Sequence, residues 1–295
     1  MLFAYCRKQL MDIVVCARPS SSSSSSAVTT TTTRALRHLE WTIREGCARY
    51  NDWGSDARPL HEKTFWDTFY EGKRGTSEED DFEWFVDAAA AAEFVRDTIT
   101  PEHRRLLHVG AGTSKLGPIL MATERHGIPL EVVNCDNSET AVEVMCNAFP
   151  ELDWHLLDLA DIGDTVSGLM PHPWDSTFDV IIDKGALDAV LFGGPDLTAK
   201  FLFGCARMLK ISASSSFSTE EIEMQKKSGG IWIQISADPP ERRLELLRAV
   251  LPEGWRVRFE KVRPVAEHDM MGIDQPSLFE QEHWGYVIST GTVFE

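Results

Sequence analysis

From Pro101 onward, short apolar runs alternate with stretches whose apolar residues recur every three or four positions. The apolar runs predict strands at Arg105–Val109, Glu131–Cys135, Trp154–Leu157, Asp179–Asp183, Ile231–Ser236, Val257–Val262 and Trp284–Ser289. Helical spacing predicts Lys115–His126, Glu139–Ala148, Ile162–Leu169 and Leu197–Leu209 between the first five strands. A further helix is expected over Pro240–Val250, where "PPERRLELL" opens on prolines and sets its leucines on one face. Strands alternating with helices predict a doubly wound α/β domain over residues 101–295, with a mostly parallel, Rossmann-like sheet of seven strands and helices on both faces.

Upstream, residues 40–100 are aromatic and acidic, and Phe82, Phe85, Val86, Ala89, Ala90 and Phe94 keep helical spacing. They predict a helix over Asp80–Ile99 within an N-terminal helical cap segment. Residues 1–39 carry "RPSSSSSSSAVTTTTTR", a hydroxyl-rich run that cannot build a core and is expected to be disordered. The polar stretch between Lys210 and Gly229 reads as a surface insertion.

Charge narrows the partners. The net charge is −17 and the pI is near 4.9, so the surface repels phosphate backbones and nucleic acid is not an expected partner. No apolar run approaches the roughly 18 residues that a membrane-spanning helix requires, and no membrane association is expected. Six cysteines form no C-x-x-C pair and no histidine cluster has zinc spacing; reduced thiols and no metal are expected, with Cys135 and Cys205 packed as small hydrophobes. In residues 1–39 Arg7, Lys8, Arg18, Arg34 and Arg37 face one acid, Asp12. A plain extension implies a cytoplasmic protein; the same composition also suits a transit peptide and a mitochondrial one.

The stretch Leu106–Gly117, "LLHVGAGTSKLG", is a strand entering a glycine-rich turn that opens a helix. A dinucleotide fingerprint needs a third glycine where Lys115 stands, and no G-x-x-x-x-G-K-[ST] occurs, which argues against NAD, FAD and a P-loop. A ligand without phosphate needs less: two glycines, free backbone N–H groups, and an acid ending the second strand to hold a ribose diol. Asp136, closing "EVVNCD", is that acid. The combination describes an S-adenosylmethionine site.

These residues resemble the class I, seven-β-strand S-adenosylmethionine-dependent methyltransferases, over roughly Phe65 to the C-terminus. More specifically, "FDVIIDKGALDAVLFGG" (178–194) is similar to the "DKG-x-x-DA" signature of the methyltransferase-like protein-lysine methyltransferases, the group acting on translation elongation factor 1-alpha and on citrate synthase. "FWDTFY", "FEWF" and "ISADPPERR" resemble further motifs of that group, in the same order. The resemblance implies that Gly110, Gly112 and Thr113 line the methionine end of S-adenosylmethionine. It likewise implies that Asp136 binds the ribose, that Asp158 sits at the adenine, and that Trp66 and Tyr70 close over the cofactor. Asp183 and Lys184 would face the transferred methyl. Two positions depart from the pattern: His108 stands where many class I members have an acid, and Ala186 replaces the threonine common after "DKG".

The implied activity is methylation of a lysine on a partner protein. Asp183 would orient the ammonium and take its proton, and Trp84 would hold the cation against its ring. Asp183 also suits a helix N-cap and Trp84 a core position, so both alternatives stay open. So do a small-molecule methyltransferase and an interaction module on the same fold.

Overall fold

Strands buried on both faces read as continuous apolar runs, and this chain builds its sheet from them. The computed structural model describes residues 59–73, 83–122, 129–163, 171–210, 229–251, 255–263 and 282–290. The serine- and threonine-rich run of 1–39, the first part of the cap segment and residues 211–228 of the expected insertion lie outside the described residues.

The elements are α1 (Lys63–Glu71), α2 (Ala88–Thr98), β1 (Arg105–Val109), α3 (Leu116–Met121), β2 (Glu131–Asp136), α4 (Glu139–Ala148), β3 (Asp153–Leu156) and α5 (Leu159–Ile162). They continue with β4 (Val180–Lys184), α6 (Ala186–Leu191), α7 (Gly194–Met208), β5 (Ile231–Ser236), α8 (Pro240–Val250), β6 (Arg256–Val262) and β7 (His283–Ser289). The strands form one sheet in the order β3-β2-β1-β4-β5-β7-β6, parallel except for β7, which runs antiparallel to both neighbours. The expected doubly wound, mostly parallel seven-stranded sheet is therefore present, and every strand lies within one residue of its predicted bounds.

Period-two alternation sends side chains to two cores. Leu107, Val109, Ile181 and Trp232 pack on one face against α7 residues such as Leu202 and Cys205. Leu106, Val180, Ile182 and Ile233 pack on the other against Ala91, Val95, Leu116 and Leu120 of α2 and α3. β1 has β2 on one side and β4 on the other, so the winding direction reverses there. In such sheets the crevice beyond the carboxyl ends of the strands at this reversal is where ligands bind.

The helices depart further from the sequence expectation. The Asp80–Ile99 helix is shorter, beginning at Ala88: the Asp87 side chain caps it by accepting the Ala90 N–H at 2.7 Å. Just before, Phe85 has φ of 66°, which no right-handed helix accommodates; Phe82 lies outside the described residues. α5 starts three residues before the predicted Ile162 because Asp158 caps it, and residues 164–170 lie outside the described residues. Two helices had no bounds predicted, α1 within the expected helical cap segment and α6 after β4. α1 carries Phe65, Trp66, Phe69 and Tyr70 at helical spacing, whereas α6 is too short for periodicity to show.

Candidate active site

The glycine turn and the end of β2 are held together by one carboxylate. Asp136 Oδ2 accepts the Gly112 N–H and Oδ1 accepts the Ser138 N–H, both at 2.8 Å. Burial pushes the Asp136 carboxyl up to about 6, against the pull of those two N–H groups, with Asp158 and Asp67 adding repulsion. A buried acid with two hydrogen bonds and accepting capacity left over suits hydroxyl donors.

Gly110 and Gly112 both adopt left-handed conformations, with φ of 57° and 52°. A side chain at Gly110 would run into Ala186, and one at Gly112 into the Tyr70 hydroxyl. The turn thus combines backbone curvature with close approach, the two conditions that glycine alone meets without strain.

Around this turn lies a cleft open to solvent. Gly110, Asp136, Asn137 and Asp158 form one wall, and Leu157, Leu159, Ala189, Val190 and Phe201 supply apolar surface. Lys184, Gly185 and Ala186 close the β4 side, while Trp66, Tyr70 and Trp84 come from the N-terminal segment. α1 is fastened over the cleft by Ser138, whose hydroxyl donates to Asp67 at 2.7 Å, and Trp66 Nε1 donates to the Leu60 carbonyl at 2.6 Å. Trp66 stacks on Tyr70 at 5.9 Å and meets Trp84 edge-on at 5.9 Å.

Of the residues singled out from sequence, Trp66, Tyr70, Trp84, Gly110, Asp136, Asp158 and Lys184 share this cleft. Gly112, Thr113 and Asp183 are placed differently. The Tyr70 hydroxyl covers Gly112, Gly110 forms the wall, and Thr113 is half-buried outside the lining. Asp183 is 1% exposed and lies behind the wall; its Oδ1 accepts the Leu187 N–H at 3.2 Å and so holds the first turn of α6. Burial, then the neighbouring Asp188, pushes its carboxyl up to about 7. In this arrangement the Asp183 side chain is enclosed by protein and does not line the cleft. Asp158 takes a capping role at the cleft edge, accepting the Ala160 N–H at 2.8 Å.

The departure at His108 has a structural answer. Burial, reinforced by the Lys184 cation, lowers His108 to about 3, so it is a neutral core residue beside Asn134. The carboxylate serving the turn comes instead from Glu83. It accepts the Ser114 hydroxyl at 2.9 and 3.0 Å, the Lys115 N–H at 3.0 Å and the Lys184 ammonium at 2.6 Å. Sequence reasoning missed Glu83; its only signal was membership of "FEWF", since 101 residues separate it from Lys184.

The "DKG-x-x-DA" and "ISADPPERR" segments also meet. Arg243 Nη2 donates to Asp188 Oδ1 at 2.6 Å and to the Ser236 hydroxyl at 2.5 Å, and that hydroxyl donates to Asp188 at 2.6 Å. Tyr286 completes the cluster, donating to the Asp238 carbonyl at 2.5 Å. Arg243 is wholly buried, and the carboxylates of Asp188 at 2.6 Å and Asp238 at 3.5 Å make its burial tolerable.

No protein-family model matches the chain. Curated proteins similar to it include three lysine methyltransferases. EEF1A lysine methyltransferase 4 of Mus musculus is 32% identical over 135 residues, 45% of this chain and 46% of its own length. The eEF1A lysine and N-terminal methyltransferase of Homo sapiens is 28% identical over 67% of this chain and 24% of its own. The mitochondrial citrate synthase-lysine N-methyltransferase CSKMT of Pongo abelii is 27% identical over 54% of this chain and 62% of its own. The chain thus spans about half the length of the first of these, and less than two thirds of each. In strand order, glycine turn and curated relatives, the chain resembles the class I S-adenosylmethionine-dependent methyltransferases of the protein-lysine branch.

Proposed function

We propose that this protein is an S-adenosylmethionine-dependent methyltransferase that methylates a lysine side chain of a partner protein. The observation that carries the reading is the Asp136–Gly112 hydrogen bond, which sets Asp136 in the wall of the cleft at the sheet's winding reversal. The cleft residues fit the cofactor: Asp136 keeps accepting capacity for a ribose diol, Gly110 leaves room for close backbone approach, and Leu157, Leu159, Val190 and Phe201 offer apolar walls to a flat base. The lysine specificity draws on the curated relatives, whose names state lysine methylation.

Bound there, the cofactor supplies a methyl group already activated on a sulfonium, so the chain's task is alignment and exclusion of water. α1 covers the cleft through the Asp67–Ser138 hydrogen bond, and Trp66 and Trp84 present rings to an arriving ammonium. A lysine must shed its proton before attack, since its ordinary pKa is about 10.4. Asp183 contributes by holding α6, and hence Ala189 and Val190, in the cleft wall.

Incubating a cell extract with methyl-labelled S-adenosylmethionine and the full chain tests this. A discrete labelled protein, lost with Asp136→Ala, is the expected result. Label confined to small metabolites would instead favour a small-molecule methyltransferase. We place the reaction in the cytoplasm; fluorescent fusions with and without residues 1–39 test this, and mitochondrial targeting that depends on the segment would relocate it.

A further inference from the structure

Lys184 ends β4 at the cleft wall, yet its side chain is only 3% exposed. Its ammonium donates to Glu83 Oε2 at 2.6 Å and to the Trp84 carbonyl at 3.2 Å. Glu83 is 15% exposed and is fixed from its other side by Ser114 and Lys115. Of the other titratable groups near this wall, His108 is neutral, the phenol of Tyr70 is held neutral by burial, then by Asp136 and Glu83, and the carboxyl groups of Asp136 and Asp158 line the opposite part of the same cleft. How far Lys184 biases the β4 side of the cleft therefore depends on its pairing with Glu83.

This matters because methyl donor and product differ by one charge. The donor is a sulfonium cation; the product, S-adenosylhomocysteine, carries a neutral thioether on an otherwise identical scaffold. An uncompensated ammonium in the same cleft would repel the donor and leave the product's sulfur indifferent. Resting on the cofactor assignment above, we infer that Glu83 is a positioning counter-ion that cancels Lys184, so that the cleft does not favour the spent product over the charged donor.

The test is a ratio, product Kd over donor Kd, measured by calorimetry on the full chain and on three variants: Glu83→Gln, Lys184→Met and the double substitution. Any inactive fraction lowers the signal for both ligands alike, so partial misfolding does not counterfeit a change in the ratio. Glu83→Gln leaves the ammonium without its carboxylate and lowers the donor preference. Lys184→Met leaves the carboxylate and raises it, and the double variant returns close to wild type. The two single variants should differ by about tenfold or more in this ratio. A difference below about twofold, or the reverse order, overturns the inference. Wild-type protein that binds neither ligand overturns the cofactor assignment and this inference with it. Wild-type binding with an insensitive ratio removes only the role given to Glu83.

Discussion

Asp136 and Gly112 lie 24 residues apart, and a 2.8 Å hydrogen bond from the glycine N–H to the carboxylate joins them across the mouth of the sheet. The acid that the sequence marks as a ribose ligand is thus also the clasp of the glycine turn. Its carboxyl is pushed up to about 6, chiefly by burial. Ribose hydroxyls donate to the ionised form, so affinity for S-adenosylhomocysteine should climb as pH rises through about 6 and then level off. Asp136→Asn should flatten that profile. Titrations across the acid range check both.

Tyr70 and Gly112 make a second pair with a defined outcome. Gly112→Ala forces an L side chain to φ of 52° and drives its methyl into the Tyr70 hydroxyl. The backbone component alone costs about 1–2 kcal/mol. Gly112→Ala should therefore lower stability, and combining it with Tyr70→Phe should recover the steric part but not the backbone part. Denaturant melts of the four proteins separate the two contributions.

Asp183 gives a stability prediction whose sign follows from its pKa. Its folded-state value of about 7 lies above the ordinary aspartate value of 3.8. The folded state therefore binds more protons across that window, and stability due to this group is complete below it and lost as pH rises through about 7. Asp183→Asn can still accept the Leu187 N–H while removing the buried charge. It should raise stability at mildly alkaline pH, by at most ~4 kcal/mol, and the gain should vanish in acid. Thermal melts at the two extremes decide it.

Arg243 predicts the opposite sign. Removing it takes the cation from Asp188 at the centre of the cluster and leaves Asp238 with Arg242 alone. Arg243→Met should cost about 3–5 kcal/mol, and adding Asp188→Asn should return part of it. Chemical denaturation of the single and double variants measures both.

How far the sequence revealed the fold depended on the range of the interactions involved. Strand positions were legible because each buried strand is a local apolar run, as in "LLHV" or "VIID". The cleft was legible where local chemistry marks it, at the glycine turn and at Asp136 closing its strand. α2 was read too long because the aromatics of "FEWF" keep helical spacing, although the left-handed turn at Phe85 folds them onto the cleft and Gly185. Pairings over long separations left no pattern: Glu83 with Lys184, Asp188 with Arg243 and Asp67 with Ser138 depend on how the sheet assembles. The same holds for Asp183, which sits in a motif that reads as chemistry but lies behind the cleft wall.

The central claim is that the cleft between the glycine turn and the end of β2 holds an adenosyl cofactor. Calorimetric titration of the folded full chain with S-adenosylhomocysteine tests it most directly. The account predicts saturable one-to-one binding that Asp136→Ala weakens at least tenfold, a loss of about 1.4 kcal/mol or more. Folded protein that gives no heat with this ligand, or an Asp136→Ala variant that binds as tightly as wild type, would contradict it.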